Sequence, residues 1–161
     1  MTIRYPEELA DLAGPDQIAS VSGLEFLQGI LDGRFPAPPI SRSLNFRLEQ
    51  VEAGKVVFRG IPSFAAMNPI GSIHGGWFGT LLDSCMSCAV QTTLPRGRGY
   101  TTLEFKTSIL RPLVAGGPEV LATGTIVHSG RRTGTATGEI RGEADGKVYA
   151  TGSATCLIFD L

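Results

Sequence analysis

Asn68, His74, Gly75, Gly76 and Asp83 fall in a single stretch, "NPIGSIHGGWFGTLLD", residues 68–83. Their types suit acyl chemistry. An asparagine amide can donate, and a histidine can orient or position a neighbour. Two glycines at or near the start of a helix expose unpaired N–H groups where the helix dipole favours negative charge. They also let a ligand approach the backbone closely. Unpaired N–H groups aimed at a developing oxyanion are what acyl transfer requires. A nearby carboxylate can then serve as general base on water or as nucleophile. Burying an ionised carboxylate in an otherwise apolar helix is costly without compensation. The competing reading makes Asp83 a structural residue at an interface edge, satisfied by a backbone donor or water.

Spacing adds a constraint. His74 and Asp83 are nine positions apart, which on a regular helix is about 13 Å along the axis and roughly half a turn out of phase. One helix therefore does not bring both to one substrate. A two-fold dimer, setting the helix start of one copy against the aspartate of the other, would create two equivalent shared sites.

The elements that must hold these residues follow from periodicity. Residues 6–33 read as helical: Leu9 and Leu12 share a face, and Leu24, Leu27 and Leu31 repeat the spacing. Ser22 with Glu25 makes a capping box, and Gly33 a stop. The prolines of "RFPAPPI" are expected to exclude regular structure. "SLNFRLEQVEAGKVVFRGI" then alternates as two strands turning at "EAGK". From Trp77 to Val90 the chain is apolar nearly all round, as in a helix buried on every side. In "YTTLEFKTSIL" (100–110), Leu103, Phe105 and Thr107 are expected on one face, with Glu104 and Lys106 on the other. Strands are expected at 119–128, 133–141 and 147–159, with Asp-Gly marking the last hairpin. This order predicts an α+β fold, and the short later links require antiparallel pairing. A single antiparallel sheet can bury such a helix only by curling around it.

Composition excludes several classes. The 161 residues suffice for one core. A net charge of −1 leaves no footprint for nucleic acid or an anionic membrane. No apolar run approaches the roughly 20 residues of a membrane span. The N-terminus lacks a secretory pattern, and three cysteines with no disulfide framework suit a reducing cytoplasm. The Cys85–Cys88 pair has a redox spacing, but inside an apolar helix it reads as core packing. Two histidines and no second cysteine pair give no zinc site.

The whole arrangement resembles the signature of hotdog-fold acyl-CoA thioesterases of the phenylacetic-acid-degradation type, in the 4-hydroxybenzoyl-CoA thioesterase-like superfamily. Asn, then His-Gly-Gly six residues on, then an acidic residue nine after the His, are matched by Asn68, His74, Gly75, Gly76 and Asp83. The resemblance runs from about Ser41 through "TTLEFKTSILRP" to the closing hairpin. It implies an N-terminal helical extension (1–40) before a hotdog domain (41–161), whose sheet wraps a central helix. It further implies a homodimer with shared sites, pairing again into a homotetramer, that hydrolyses an aryl- or medium-chain acyl-CoA without metal or cofactor. By position, Asp83 would activate water or attack the carbonyl. The Gly75 N–H would polarise its oxygen, beside Gly76, while Asn68 and His74 place thioester or water. A supporting strand hydroxyl falls at Thr102, or at Thr101 if the preceding loop shifts the register. Arg131 and Arg132 are candidates for the coenzyme A phosphates, with Lys106 and Arg111 behind them. A hotdog dehydratase or hydratase, and a non-catalytic acyl-CoA sensor, are the alternatives.

Overall fold

In a computed structural model, residues 3–161 are described; the first two positions of the expected N-terminal extension lie outside the described residues. Before the first strand come a 3-10 turn, Leu9–Asp11, and helices α1 (Pro15–Ala19), α2 (Gly23–Leu31) and α3 (Pro39–Ser43). The capping box forms as expected. Ser22 Oγ accepts the Glu25 N–H at 3.2 Å, and the Glu25 carboxylate accepts the Ser22 N–H at 2.8 Å. The helical stretch is not continuous, however. Gly14-Pro15 and Val21-Ser22 interrupt it, and Leu9, expected on a packed face, is 85% exposed. The proline run is also less disruptive than expected. Pro39 opens α3, because a first-turn residue needs no N–H donor.

Strands β1 (Phe46–Glu52) and β2 (Lys55–Gly60) form the first hairpin. Leu44 is not part of it: it closes α3, and Asn45 turns the chain with φ +54°. After helix α4 (Gly75–Gln91) come β3 (Arg98–Ile109), β4 (Val120–Ser129), β5 (Thr133–Gly142) and β6 (Val148–Asp160). All six strands join one antiparallel sheet in the order β1-β2-β4-β5-β6-β3. The sheet curls around α4, which packs against β2, β3, β4, β5 and β6. Phe78, Leu81, Leu82, Cys85, Met86, Ala89 and Val90 are buried, and each large apolar side chain so removed from water contributes on the order of 1.5–3 kcal/mol.

A row of glycines lets the helix sit this deep. Gly124 of β4 pairs with Gly138 of β5, which pairs with Gly152 of β6. All three lie beneath the Leu82–Met86 turn. A Cβ on Gly124 would overlap the Cys85 carbonyl, and one on Gly138 would come within 2.8 Å of Met86.

Strand β3 departs from simple alternation. The register slips between Thr102, opposite Cys156, and Glu104, opposite Thr155. Leu103 is the extra residue, 58% exposed, so it does not share a face with Phe105 as expected. Such a bulge shifts every later side chain by one position. Tyr100 and Thr102 before it therefore continue inward as Phe105, which approaches Gly79, and Ile109, which approaches Gly75.

Gly124→Ala is expected to lower the unfolding free energy by roughly 3 kcal/mol or more, because the opposing atoms are backbone and cannot rotate away. Urea unfolding of wild type and variant at equal slope would measure it.

Candidate active site

The site is assembled by a short loop and two faces. Asn68 organises the loop: its Oδ1 accepts the N–H groups of Ile70 at 3.0 Å and Ser72 at 3.2 Å, and its Nδ2 donates to Ser72 Oγ at 2.8 Å. Its backbone N–H donates to the Ser72 carbonyl at 2.7 Å. One amide hydrogen is left over for another partner. The loop delivers His74 as the N-cap of α4, its own N–H donating to the Ala66 carbonyl at 2.8 Å.

His74 then sets which helix donors stay free. Its Nδ1 accepts the Gly76 N–H at 2.9 Å, and its carbonyl accepts the Trp77 N–H at 3.0 Å. Gly75 N–H has no partner among the described residues, and Gly75 and Gly76 are both exposed. Trp77 ties this end of the helix to the end of α3, just before β1, by donating its indole N–H to the Leu44 carbonyl at 2.8 Å. Trp77, Phe78 and Met86 are all core residues.

Asp83 lies on the half-exposed stripe of α4 with Thr80, Ser84, Cys88 and Gln91. Thr102, inward on β3, donates its hydroxyl to Asp83 Oδ1 at 2.9 Å. Oδ2 has no partner among the described residues. Thr101 is exposed and alternates to the other side of the strand. Of the two threonines, Thr102 is the one whose hydroxyl reaches Asp83. Tyr100, two residues before Thr102 on the same face, escapes a motif-based reading, although its spacing is the available signal. Burial holds its hydroxyl well above its ordinary pKa, and the hydroxyl lies 4.0 Å from Cys88 Sγ. Gly75 and Asp83 begin and half-traverse one continuous helix, about 12 Å apart along its axis, so a single chain does not bring them together.

Arg131 and Arg132 occupy the turn between β4 and β5, exposed to solvent. With Arg98, Leu157, Phe159 and Asp160 they line a depression of about 320 Å³. Arg98 lies on β3 itself and Leu157 of β6 pairs directly with Thr101, so this depression borders the strand that carries both threonines. Lys106 and Arg111 are exposed, and Arg111 donates to the Val148 carbonyl.

The thiols are chemically quiet. Burial pushes the Cys88 thiol to about 12 and raises Cys85 and Cys156 as well. The Cys88 sulfur lies deep although its residue as a whole is half-buried.

The thioesterase superfamily pattern matches residues 70–149. A Ralstonia eutropha protein related to phenylacetic acid degradation, provisionally named a thioesterase, is 30% identical in sequence. Its structure superposes with a TM-score of 0.73 over 82% of this chain and 98% of that one. The phenylacetic acid degradation protein PaaI of Thermus thermophilus is 29% identical, with a TM-score of 0.67 over 74% and 98% of the two chains. A Caenorhabditis elegans protein carrying the provisional name of an esterase is 31% identical over 107 residues. These are 66% of this chain, which spans 62% of that relative's length. The chain belongs to the thioesterase superfamily and has its hotdog fold.

In the native protein none of the three cysteines is expected to react with Ellman's reagent at pH 8, since thiols raised this far stay protonated there. All three should react in guanidinium. Fast labelling of the folded protein would refute the core reading of the Cys85–Cys88 pair.

Proposed function

We propose that the protein hydrolyses acyl-CoA thioesters to free acid and coenzyme A. The observation that carries this reading is the Thr102–Asp83 hydrogen bond. It holds one carboxylate oxygen in place and leaves the other turned to a half-open stripe on an otherwise buried helix. A carboxylate so held, half-exposed on an otherwise buried helix, keeps one oxygen free to take a proton or attack a carbonyl.

Two routes are open to it. As general base, Asp83 takes a proton from water whose oxygen bonds to the thioester carbonyl carbon. As nucleophile, it forms an acyl anhydride that water then opens. In either case the C–S bond breaks, and the coenzyme A thiolate leaves with its electron pair and is protonated. The carbonyl oxygen gains negative charge on the way. The free Gly75 N–H at the positive end of α4 is suited to receive it. Because Gly75 and Asp83 of one chain stand about 12 Å apart along the helix, the two functions come from different copies. His74 keeps Gly76 N–H occupied and so aims the helix start, and the spare Asn68 amide hydrogen is available to the thioester or water. Arg131 and Arg132, beside Arg98, are offered to the phosphates of coenzyme A.

The second copy would pair along β3. This edge strand carries Leu103, Phe105 and Ile109, which are 58%, 44% and 47% exposed, and an exposed long apolar edge is a template for another strand. A homodimer joined there, pairing again as a tetramer, would place Asp83 of one copy near the helix start of the other. No described helix is long and apolar enough to cross a membrane. The free cysteines support a reducing, cytoplasmic setting. We keep the division at residue 40 between a helical extension and the catalytic domain.

Thiol release from a panel of acyl-CoAs should fall roughly 10³-fold or more in Asp83→Asn, the scale of losing a catalytic carboxylate. Thr102→Val should lose about 10- to 100-fold, the worth of one hydrogen bond to a charged group. A folded Asp83→Asn with full activity would remove the aspartate from the mechanism. Alkene absorbance changing without thiol release would turn the reading towards a hydratase. Phe105→Arg should sediment as a monomer and lose turnover together with the dimer; an active monomer would rule out a shared site.

A further inference from the structure

The N-terminal segment is pinned to the far end of α4. Gly23 N–H donates to the Leu94 carbonyl at 3.0 Å, and Gly97 N–H to the Ala19 carbonyl at 3.0 Å. A Cβ on Gly23 would overlap the Gln91 carbonyl, so α2 lies directly against the helix end. Yet the segment does not fill the space it covers. Between it and the sheet remains a cavity of about 300 Å³.

Its walls come from the N-terminal segment, the end of α4 and both edges of the curled sheet. Leu12, Phe26 and Ile30 belong to the N-terminal segment, Leu48 and Phe58 to β1 and β2, and Tyr100 to β3 at the opposite sheet edge. Among the lining residues only Gln91, Cys88 and Tyr100 carry polar side-chain atoms. A half-open cleft of this size with apolar walls is a usual form of small-molecule site.

Its position relative to Asp83 indicates the occupant. Cys88 is five residues beyond Asp83, about 7 Å along the helix. Tyr100 is two residues before Thr102, about 7 Å along the strand in the same direction. The cavity therefore begins about one and a half helical turns from the carboxylate along the half-exposed stripe of α4, and two residues along β3 from its threonine.

We infer that this cavity receives the tail of a linear acyl chain of roughly ten to fourteen carbons, and that the N-terminal segment sets the chain length. The inference rests on the thioesterase reading above. The first carbons after the carbonyl cross the gap from Asp83. The rest enter the cavity, whose volume is on the order of ten water molecules at about 30 Å³ each and so of a similar number of methylenes. An acetyl group does not reach it, and a phenylacetyl ring reaches only its mouth. Ala13 lines the cavity from a half-buried loop between the Leu9–Asp11 turn and α1, so a larger side chain there narrows the cavity without entering the core.

The test combines turnover and binding. With acyl-CoAs from two to sixteen carbons and phenylacetyl-CoA, wild type should show its highest kcat/KM between ten and fourteen carbons. This should exceed acetyl- and phenylacetyl-CoA by at least tenfold. In Ala13→Trp, and independently in Leu12→Trp, the ratio of dodecanoyl- to butyryl-CoA kcat/KM should fall by tenfold or more. Calorimetric titration with dodecanoate, which has no thioester, should show binding to wild type and at least tenfold weaker binding to both variants. A wild type fastest on acetyl- or phenylacetyl-CoA, or folded variants with an unchanged ratio, would overturn the inference. So would a wild type that does not bind dodecanoate. Dodecanoate binding with no hydrolysis of any acyl-CoA would instead sink the thioesterase reading and leave the cavity assignment supported.

Discussion

Everything in this fold depends on how closely one sheet can approach one helix. Side chains on both surfaces would hold a helix and a sheet well apart. Here Gly124, Gly138 and Gly152 form a row across three strands, and α4 settles into the resulting trough until its backbone meets that of β4. That depth lets a six-stranded sheet pass around most of the helix circumference. It also explains why Leu81, Leu82, Cys85 and Met86 are completely buried in a chain of this size. Closure is incomplete along one stripe of α4, between the two edge strands β1 and β3. The N-terminal segment covers the C-terminal half of that stripe, and the N-terminal half stays open. Both the carboxylate and the cavity owe their existence to this gap.

The gap also resolves the electrostatic problem that Asp83 poses. One turn deeper in the trough its charge would face Leu82 and Met86 with no compensation, at a cost of several kcal/mol. On the stripe it keeps access to solvent, while Thr102 supplies one oriented donor. The same hydrogen bond ties the helix to β3, an edge strand of the sheet, so the Asp83 carboxylate is positioned beside that edge. A partner strand added at β3 would therefore lie beside the site without having to rearrange it.

Elements whose causes are local were legible in the sequence. The all-round apolar run gave α4, the Ser22–Glu25 pair gave the start of α2, and Asp145-Gly146 gave the last hairpin, where Gly146 has φ +64°. The Asp83–Thr102 contact was also within reach, because the motif placed one partner and strand counting the other. What escaped has non-local causes. The bulge at Leu103 is a mismatch between β3 and β6, and nothing in "YTTLEFKTSIL" marks it; alternation alone puts Leu103 and Phe105 on one face. The breaks within residues 6–33 reflect a segment that drapes over a gap instead of burying a continuous stripe, so Leu9 finds nothing to pack against. Pro39 opening a helix is a matter of position, since the same residue would end one if it came a turn later. The cavity is the extreme case, its wall drawn from the N-terminal segment, both edges of the sheet and the end of α4.

The geometry of the helix start carries the synthesis one step further. His74 could have left all the first-turn donors open, but its Nδ1 takes the Gly76 N–H and its carbonyl takes that of Trp77. The helix therefore presents Gly75 N–H alone, with the macrodipole behind it, at an exposed position where no side chain stands in the way. A single aimed donor suits one developing charge better than a cluster competing for it. Asn68 spends its carbonyl oxygen holding the loop that fixes His74, so the motif reads as one mechanical unit: asparagine shapes the loop, the loop places the histidine, and the histidine selects the donor. In the same chain the carboxylate lies more than two helical turns away. A donor so prepared, with the carboxylate of its own chain out of reach, is what the proposed pairing with a second copy's Asp83 would use.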